Sequence, residues 1–284
     1  MSRLSIPTAA SSWDHNVLGS IGMSFRRTGS FNDFFGIEPP TIFGVGLSLN
    51  LQAYVAENVR RVCEIGLTNS NRVRLAADYM PFHRDVLDFF KAENGVMVHY
   101  PNEESAVDEF AKETMKLLGF NLIPSIDIHG PTSMSTKVAG IKVDANADIV
   151  VSNSETKIIL IVQEDKSLLS KVPRQDAIAQ LMVEALAAFT YNNLEHNFEK
   201  QIIYGILLRG TIPMFFKFPM TQASVRKIQN TREEIDDILI DGEYYCPHLE
   251  MNEVGYLRTK QEYLVKFLQC FEAMRRMAIP VQDE

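Results

Sequence analysis

The sequence is poor in cysteine, holds no long apolar run and has no excess of positive charge, and each shortage closes off a class of function. Cys63, Cys246 and Cys270 lie far apart, form no C-x-x-C pair and leave one thiol over under any bridging, which fits a reducing compartment. The longest unbroken aliphatic run, residues 158–162, is far too short to cross a bilayer, and the opening Met1-Ser2-Arg3-Leu4-Ser5 shows no apolar leader. The expectation is an intracellular chain, in nucleus or cytoplasm, with no membrane partner. A net charge of −8 and an isoelectric point near 5.4 offer no long-range attraction to a polyanion. That balance argues against a constitutive nucleic-acid coat, and less against an enzyme whose carboxylates bind cations. No Walker loop and no G-x-G-x-x-G turn is present, so nucleotide hydrolysis and dinucleotide binding have no anchor. The six histidines are scattered, and Cys246-Pro247-His248 lacks the further ligands of a zinc site.

What is present is an ordinary globular composition, 46% apolar and 23% charged over 284 residues. Residues 1–48, rich in Ser, Thr, Gly and Asn without a sustained period, are expected to be a poorly ordered arm or loosely docked loops. Apolar spacing at three and four predicts a helix over 51–65, and Pro81 as a first-turn residue with Asn94-Gly95 as a stop predicts one over 81–93, a helical N-terminal addition spanning 49–100. An acidic, capped start and the stripe Val107, Phe110, Ala111, Thr114, Leu117 and Leu118 predict a helix over 102–118. Strands follow at 122–128 and 137–143, and a hairpin at 147–151 and 156–164 turns through Ser152-Asn153-Ser154-Glu155. The stretch 175–191 is apolar nearly all round and reads as a buried helix, followed by strands at 201–208 and 213–218. A last helix over 261–277 belongs to a C-terminal helical extension, 221–284, packed on the core.

Side chains alternate across a strand, so Glu164 and Lys166 share one face at the end of their strand and Asp165 takes the other. A hairpin brings Asp148, at the start of the preceding strand, beside that end. Carboxylates so placed repel one another, and a hard divalent cation with oxygen ligands relieves them. The chemistry is that of phosphodiester hydrolysis, with Lys166 stabilising the attacking hydroxide or the transition state. The plainer alternative is a charged strand end entering solvent.

The order of elements, with Ala147-Asp148-Ile149-Val150-Val151, Val162-Gln163-Glu164-Asp165-Lys166 and the helix Gln180-Leu181-Met182-Val183-Glu184, resembles the PD-(D/E)XK nuclease superfamily, in its exonuclease-like branch. The segment Gly210-Thr211-Ile212-Pro213-Met214-Phe215-Phe216-Lys217 looks like one recurring in uncharacterised fungal members. The resemblance implies an α/β fold with an αβββαβ restriction-endonuclease-like core over 101–220, its central mixed sheet flanked by helices. It implies Mg²⁺ or Mn²⁺ held by Asp148, Glu164, the Asp165 backbone carbonyl and an acid on the first core helix, with nucleic acid, DNA by expectation, as substrate. The helix stripe favours Glu104 for that acid, then Glu103, with Asp108 and Glu109 also candidates. Gln180 matches the branch's site-facing glutamine and is expected to orient a water or a phosphate oxygen. Ala147 stands where the family name has proline, which leaves the acid intact; Asp144 is a possible substitute for Asp148. Lys171, Arg174, Lys217, Arg226 and Lys227 are candidate phosphate contacts. The competing reading is a catalytically silent nuclease-fold module that binds partners in a mobile-element or host-interaction system.

Overall fold

The structure, a computed structural model, describes residues 4–45, 47–67, 84–250 and 261–279. Among the described residues the strands are β1 Met23–Arg27, β2 Ile126–His129, β3 Thr132–Val138, β4 Ile141–Ala147, β5 Ile149–Asn153, β6 Ile159–Lys166, β7 Lys200–Arg209, β8 Ile212–Thr221 and β9 Ile240–Tyr245. The helices are α1 His15–Ser20, α2 Phe31–Phe35, α3 Leu49–Leu67, α4 Arg84–Asn94, α5 Glu104–Leu117, α6 Arg174–Glu195, α7 Gln222–Asn230, α8 Pro247–Glu250 and α9 Gln261–Ala278. Seven strands form one mixed sheet in the order β1-β9-β8-β7-β6-β5-β2, parallel at β1·β9 and β6·β7 and antiparallel elsewhere. Helices cover both faces, so the α/β class with a central mixed sheet is the observed one.

Two apolar layers sandwich β6. On one side Ile161 joins Val107, Phe110 and Ala111 of α5, with α4 and α9 behind. On the other, Val162 joins Ile178, Leu181, Met182 and Ala185 of α6. Burial on both faces is why β6 reads as a continuous apolar run rather than an alternating one. The all-round apolarity of α6 has a matching cause. One side lies on β6 and β7, while the separate β3–β4 hairpin covers another.

Three expectations change. The strand expected over 137–143 is the tip of the β3–β4 hairpin, where Ala139 (φ 52°) and Gly140 (φ 79°) occupy the left-handed region. A two-residue turn of this hand suits the twist of the flanking strands. Ala at its first position hides the signal that Asn would have given. The segment expected to be a poorly ordered arm or loosely docked loops carries regular elements within 4–45: β1 pairs with β9, and Trp13 and Leu18 are buried. Its elements, five or six residues each and capped by Asp14 and Ser30, are too short to show a period. The C-terminal extension likewise adds a strand, β9, to the sheet as well as helices. The first residues of the helix expected from 81, through 83, lie outside the described residues.

One side chain fastens α6 to the start of β6. The β5–β6 register shifts between Val151 and Ser152, and pairing of β6 with β7 begins only at Ile161. At Ile159, Asn192 replaces the missing strand: its Oδ1 accepts the backbone N–H at 2.8 Å and its Nδ2 donates to the carbonyl at 2.9 Å. Asn192→Ala leaves both backbone groups buried without partners and is expected to cost about 2 kcal/mol or more. Urea unfolding measures this, and a loss below about 0.5 kcal/mol, the range of neutral surface changes, would refute the role.

Candidate active site

The end of β6 carries acids to both faces of the sheet. Asp148, between β4 and β5, donates its N–H to the Gln163 carbonyl at 3.0 Å, and its Oδ2 accepts the Asp165 N–H at 2.7 Å. The β5–β6 ladder, with Ile149 opposite Gln163, thus continues one step further through a side chain. That bond fixes Asp148 beside the Glu164-Asp165-Lys166 strand end, as the hairpin argument required.

Toward α5, Asp165 is fully buried, and Gln163 Nε2 donates to its Oδ1 at 2.8 Å. Asp108 of α5 faces it, and Asp108, Asp148 and Asp165 each bring a carboxylate oxygen within 4.8 Å of the others. Burial, followed by the Asp108 and Asp148 charges, pushes the Asp165 carboxyl well above the usual range, with only Gln163 opposing. Burial also raises Asp108, against the hydrogen bond it shares with Asp165 and the nearby Lys112. Each of the two acids therefore favours its protonated form more than an exposed carboxyl does.

The opposite face repeats the arrangement. Glu184 of α6 is fully buried and takes a 3.1 Å hydrogen bond from Gln180 Nε2, and burial and then Glu164 beside it push its carboxyl well above the usual range. Burial and then Asp148 raise Glu164 to about 7, although Lys166 pulls the other way. Asp148 rises to about 6, mainly through burial. The Lys166 ammonium pairs with Glu164 and lies 3.7 Å from Glu104 Oε1. Burial opposes its charge, but Glu164, Glu104 and Asp148 outweigh burial and raise its proton affinity. Asp108 Oδ1, Asp165 Oδ2, Glu164 Oε2 and Glu184 Oε2 are buried with no donor bonded to them. Shared protons or a cation must satisfy these oxygens.

Of the residues singled out from sequence, Asp148, Glu164, Lys166, Gln180 and Glu104 converge on this strand end. Glu104 does not join the carboxylate triad; it stands half-exposed at the Lys166 ammonium. Glu103 lines an open groove between α4 and α5. Asp144 lies on β4 beside Lys142, 2.7 Å away, and does not replace Asp148. Asp165, expected to offer its backbone carbonyl, brings its carboxylate to the triad. Asp108, ranked behind Glu104 by the helix stripe, follows it by four residues and so shares its helix face. Glu184 enters the sequence reading only as part of the helix motif with Gln180, four residues before it, and is given no chemical role there. Lys227 pairs with Asp237 and Lys217 donates to the Phe34 carbonyl, so both have structural partners. No disulfide joins Cys63, Cys246 and Cys270, and Cys246 and Cys270 are buried.

No protein-family model and no curated protein matches the sequence.

The raised carboxyls make stability fall as pH rises. Asp148 and Glu164 bind protons more tightly in the fold than in the unfolded chain, so their contribution is present below the ordinary carboxylate range, near pH 4, and is lost through about 6 and 7. Glu184→Gln keeps a neutral hydrogen-bond donor beside Glu164 without an ionisable proton. In chelator, its melting temperature relative to the natural protein should rise between pH 5 and pH 8. A difference that stays flat or falls would show that Glu184 carries no strained proton.

Proposed function

We propose that the chain is a Mg²⁺- or Mn²⁺-dependent nuclease hydrolysing phosphodiester bonds, with DNA as substrate, on a PD-(D/E)XK framework. The observation that carries this reading is the meeting of three carboxylates within 4.8 Å at the strand end that also holds Lys166. The donor set suits a hard cation. It is all oxygen, and Asp108 and Asp165 each have a buried oxygen without a hydrogen-bond donor. Asp108, Asp148 and Asp165 would hold the ion, with Glu164 next to Asp148 and the Asp165 carbonyl in the set the sequence resemblance implies. A bound divalent ion supplies Lewis acidity toward a phosphoryl oxygen and lowers the pKa of water.

The chain's own residues supply the rest. Lys166, nearly buried and kept protonated by Glu164 and Glu104, presents a fixed positive charge where a phosphoryl group gains negative charge, and needs no reorganisation to do so. Glu104 holds that ammonium from the solvent side. Gln180 orients Glu184, and Glu184 in turn sets the proton on the far side of Glu164. A silent binding module gains nothing from this arrangement, because buried carboxylates in mutual contact destabilise the fold that keeps them.

Asp148→Asn, Glu164→Gln and Lys166→Ala are each expected to lower metal-dependent cleavage of DNA by about a hundredfold or more, with circular dichroism unchanged. Full activity in all three would remove the assignment. Among the helix acids, Asp108→Asn should raise the Mg²⁺ concentration needed for half-maximal cleavage more than Glu104→Gln does. The reverse order would move the ion toward Lys166.

A metal-free measurement complements these. Removing one of several mutually repelling charges should make Asp148→Asn melt higher than the natural protein in chelator. Millimolar Mg²⁺ or Mn²⁺ should raise the natural protein's melting temperature by mass action and the variant's by less. Equal metal responses, or a lower melt of the variant in chelator, would take Asp148 out of the shared cavity.

A further inference from the structure

The strand ends that gather the acids also gather positive charge. Arg209 closes β7 as the register partner of Lys166, so its side chain leaves the sheet on the same face as Lys166 and Glu164. Its guanidinium donates to the backbone carbonyl of Val172. Arg174 opens α6 two residues later. The loop between is fixed from both sides: Leu169 N–H donates to the Pro101 carbonyl at 3.2 Å, and Leu168 packs on Gly210. Gly210 has φ +60°, and a Cβ there would come within 2.7 Å of Leu168 Cδ1, so only glycine lets the loop lie this close. The carbonyl that holds Arg209 is therefore delivered by a positioned loop.

Arg174 begins α6 two residues past the Val172 carbonyl that Arg209 holds, which brings the two arginines into one neighbourhood. Burial, and then the Arg174 charge, disfavour the Arg209 guanidinium, and burial followed by Arg174 likewise lowers the proton affinity of His248. Among the described residues neither arginine has a carboxylate partner. Asp176, in the first turn of α6, lies 3.9 Å from His15 instead. Cations that repel one another at a fixed place are relieved by an anion, and the guanidinium fork matches phosphate oxygens in pairs. The site also stands at the N-terminus of a 22-residue helix whose N-cap, Pro173, offers no capping side chain, so the helix dipole adds to the attraction.

We propose that Arg174 and Arg209 form a phosphate-binding subsite that holds a phosphate of the nucleic-acid strand next to the scissile one. That the phosphate belongs to nucleic acid rests on the nuclease reading. The anion site itself rests on the two guanidiniums. Lys166 and Arg209 lie on adjacent strands, whose spacing is about 4.8 Å, so one chain of phosphates passing Lys166 meets the pair next.

The test is binding of a fluorescent single-stranded DNA oligonucleotide to the full chain in chelator, where no cleavage occurs, read by anisotropy over a range of salt. The double variant R174Q/R209Q should bind about tenfold more weakly, and the slope of log K against log salt should flatten by about 1. R26Q is the control, since Arg26 lies on β1 at the far edge of the sheet and pairs with Glu243. Exposed Arg174 allows R174Q alone, with a loss of about threefold, to carry the test if the double variant fails to fold. Oligonucleotides with a 5′-phosphate and a 5′-hydroxyl separate the two sources of phosphate. Equal losses mean an internal phosphodiester, a loss confined to the phosphorylated strand means a terminal phosphate, and either upholds the subsite. No DNA binding by the natural protein, or losses no greater than in R26Q, overturns it. Cleavage distinguishes this failure from that of the nuclease reading. Arginine-dependent binding without metal-supported cleavage leaves the subsite and removes the nuclease. Metal-supported cleavage with an unchanged KM in the double variant does the reverse.

Discussion

The arrangement depends on one constraint: β6 is buried on both faces and ends in three consecutive ionisable residues. A strand alternates its side chains, so Glu164-Asp165-Lys166 cannot send all three into water. Asp165 goes under α5 and Glu164 under α6, while the Lys166 ammonium reaches Glu164 and Glu104 of α5. Each acid then requires a partner from the helix it meets, and each meets another acid, Asp108 on one side and Glu184 on the other. A glutamine hydrogen-bonds one acid of each pair, Gln163 to Asp165 and Gln180 to Glu184. Asp148 is the hinge between the two sets, since its carboxylate is bonded to the β6 backbone and influences acids on both sides.

Holding such a cluster requires a rigid frame. Each carboxyl that binds its proton more tightly in the fold draws on free energy that the rest of the fold supplies, about 1.4 kcal/mol for every tenfold gain in proton affinity. The frame is correspondingly over-determined around β6. Asn192 bonds both backbone groups of Ile159, the β6–β7 pairing runs to the last residue, and the Gly210 N–H returns to the Lys166 carbonyl at 2.9 Å. Layers from both halves of the chain press on the strand. The N-terminal residues Trp13 and Leu18 pack in the α6 layer, and α9 packs in the α5 layer. The docked N-terminal segment is therefore part of what holds the acids in place.

Much of this was legible in the sequence because periodicity is a local property. The helices α3, α5, α6 and α9 and the β5–β6 hairpin follow from apolar spacing, and the meeting of Asp148 with Glu164 follows from hairpin geometry. What was not legible depends on partners remote in sequence. β1 has five residues and is stabilised by β9, more than two hundred positions away. The β3–β4 turn uses Ala139 at a position with φ of 52°, where no glycine or asparagine announces it. Asp108 lost to Glu104 because the helix stripe identifies a face, whereas the two acids share that face one turn apart. Which of them approaches Asp165 depends on the packing of α5 on β6, and it is Asp108. Arg209 carried no signal at all, since its meaning comes from lying opposite Lys166 in the sheet.

The overall charge of −8 is also easier to understand from this geometry. A net negative protein repels a polyanion at long range, but screening confines that repulsion to about 10 Å at ordinary ionic strength. Inside that distance the local arrangement decides. Carboxylates that hold protons or a cation are largely neutralised, whereas Lys166, Arg174 and Arg209 keep their charge. Burial makes the acids the groups that give up charge, because each has a like neighbour and no spare donor. The arginines cannot give theirs up at any ordinary pH. The end of β6 is thus acidic by composition and far less so in effect, and the repulsion implied by the whole sequence is weakest where a phosphate would have to approach.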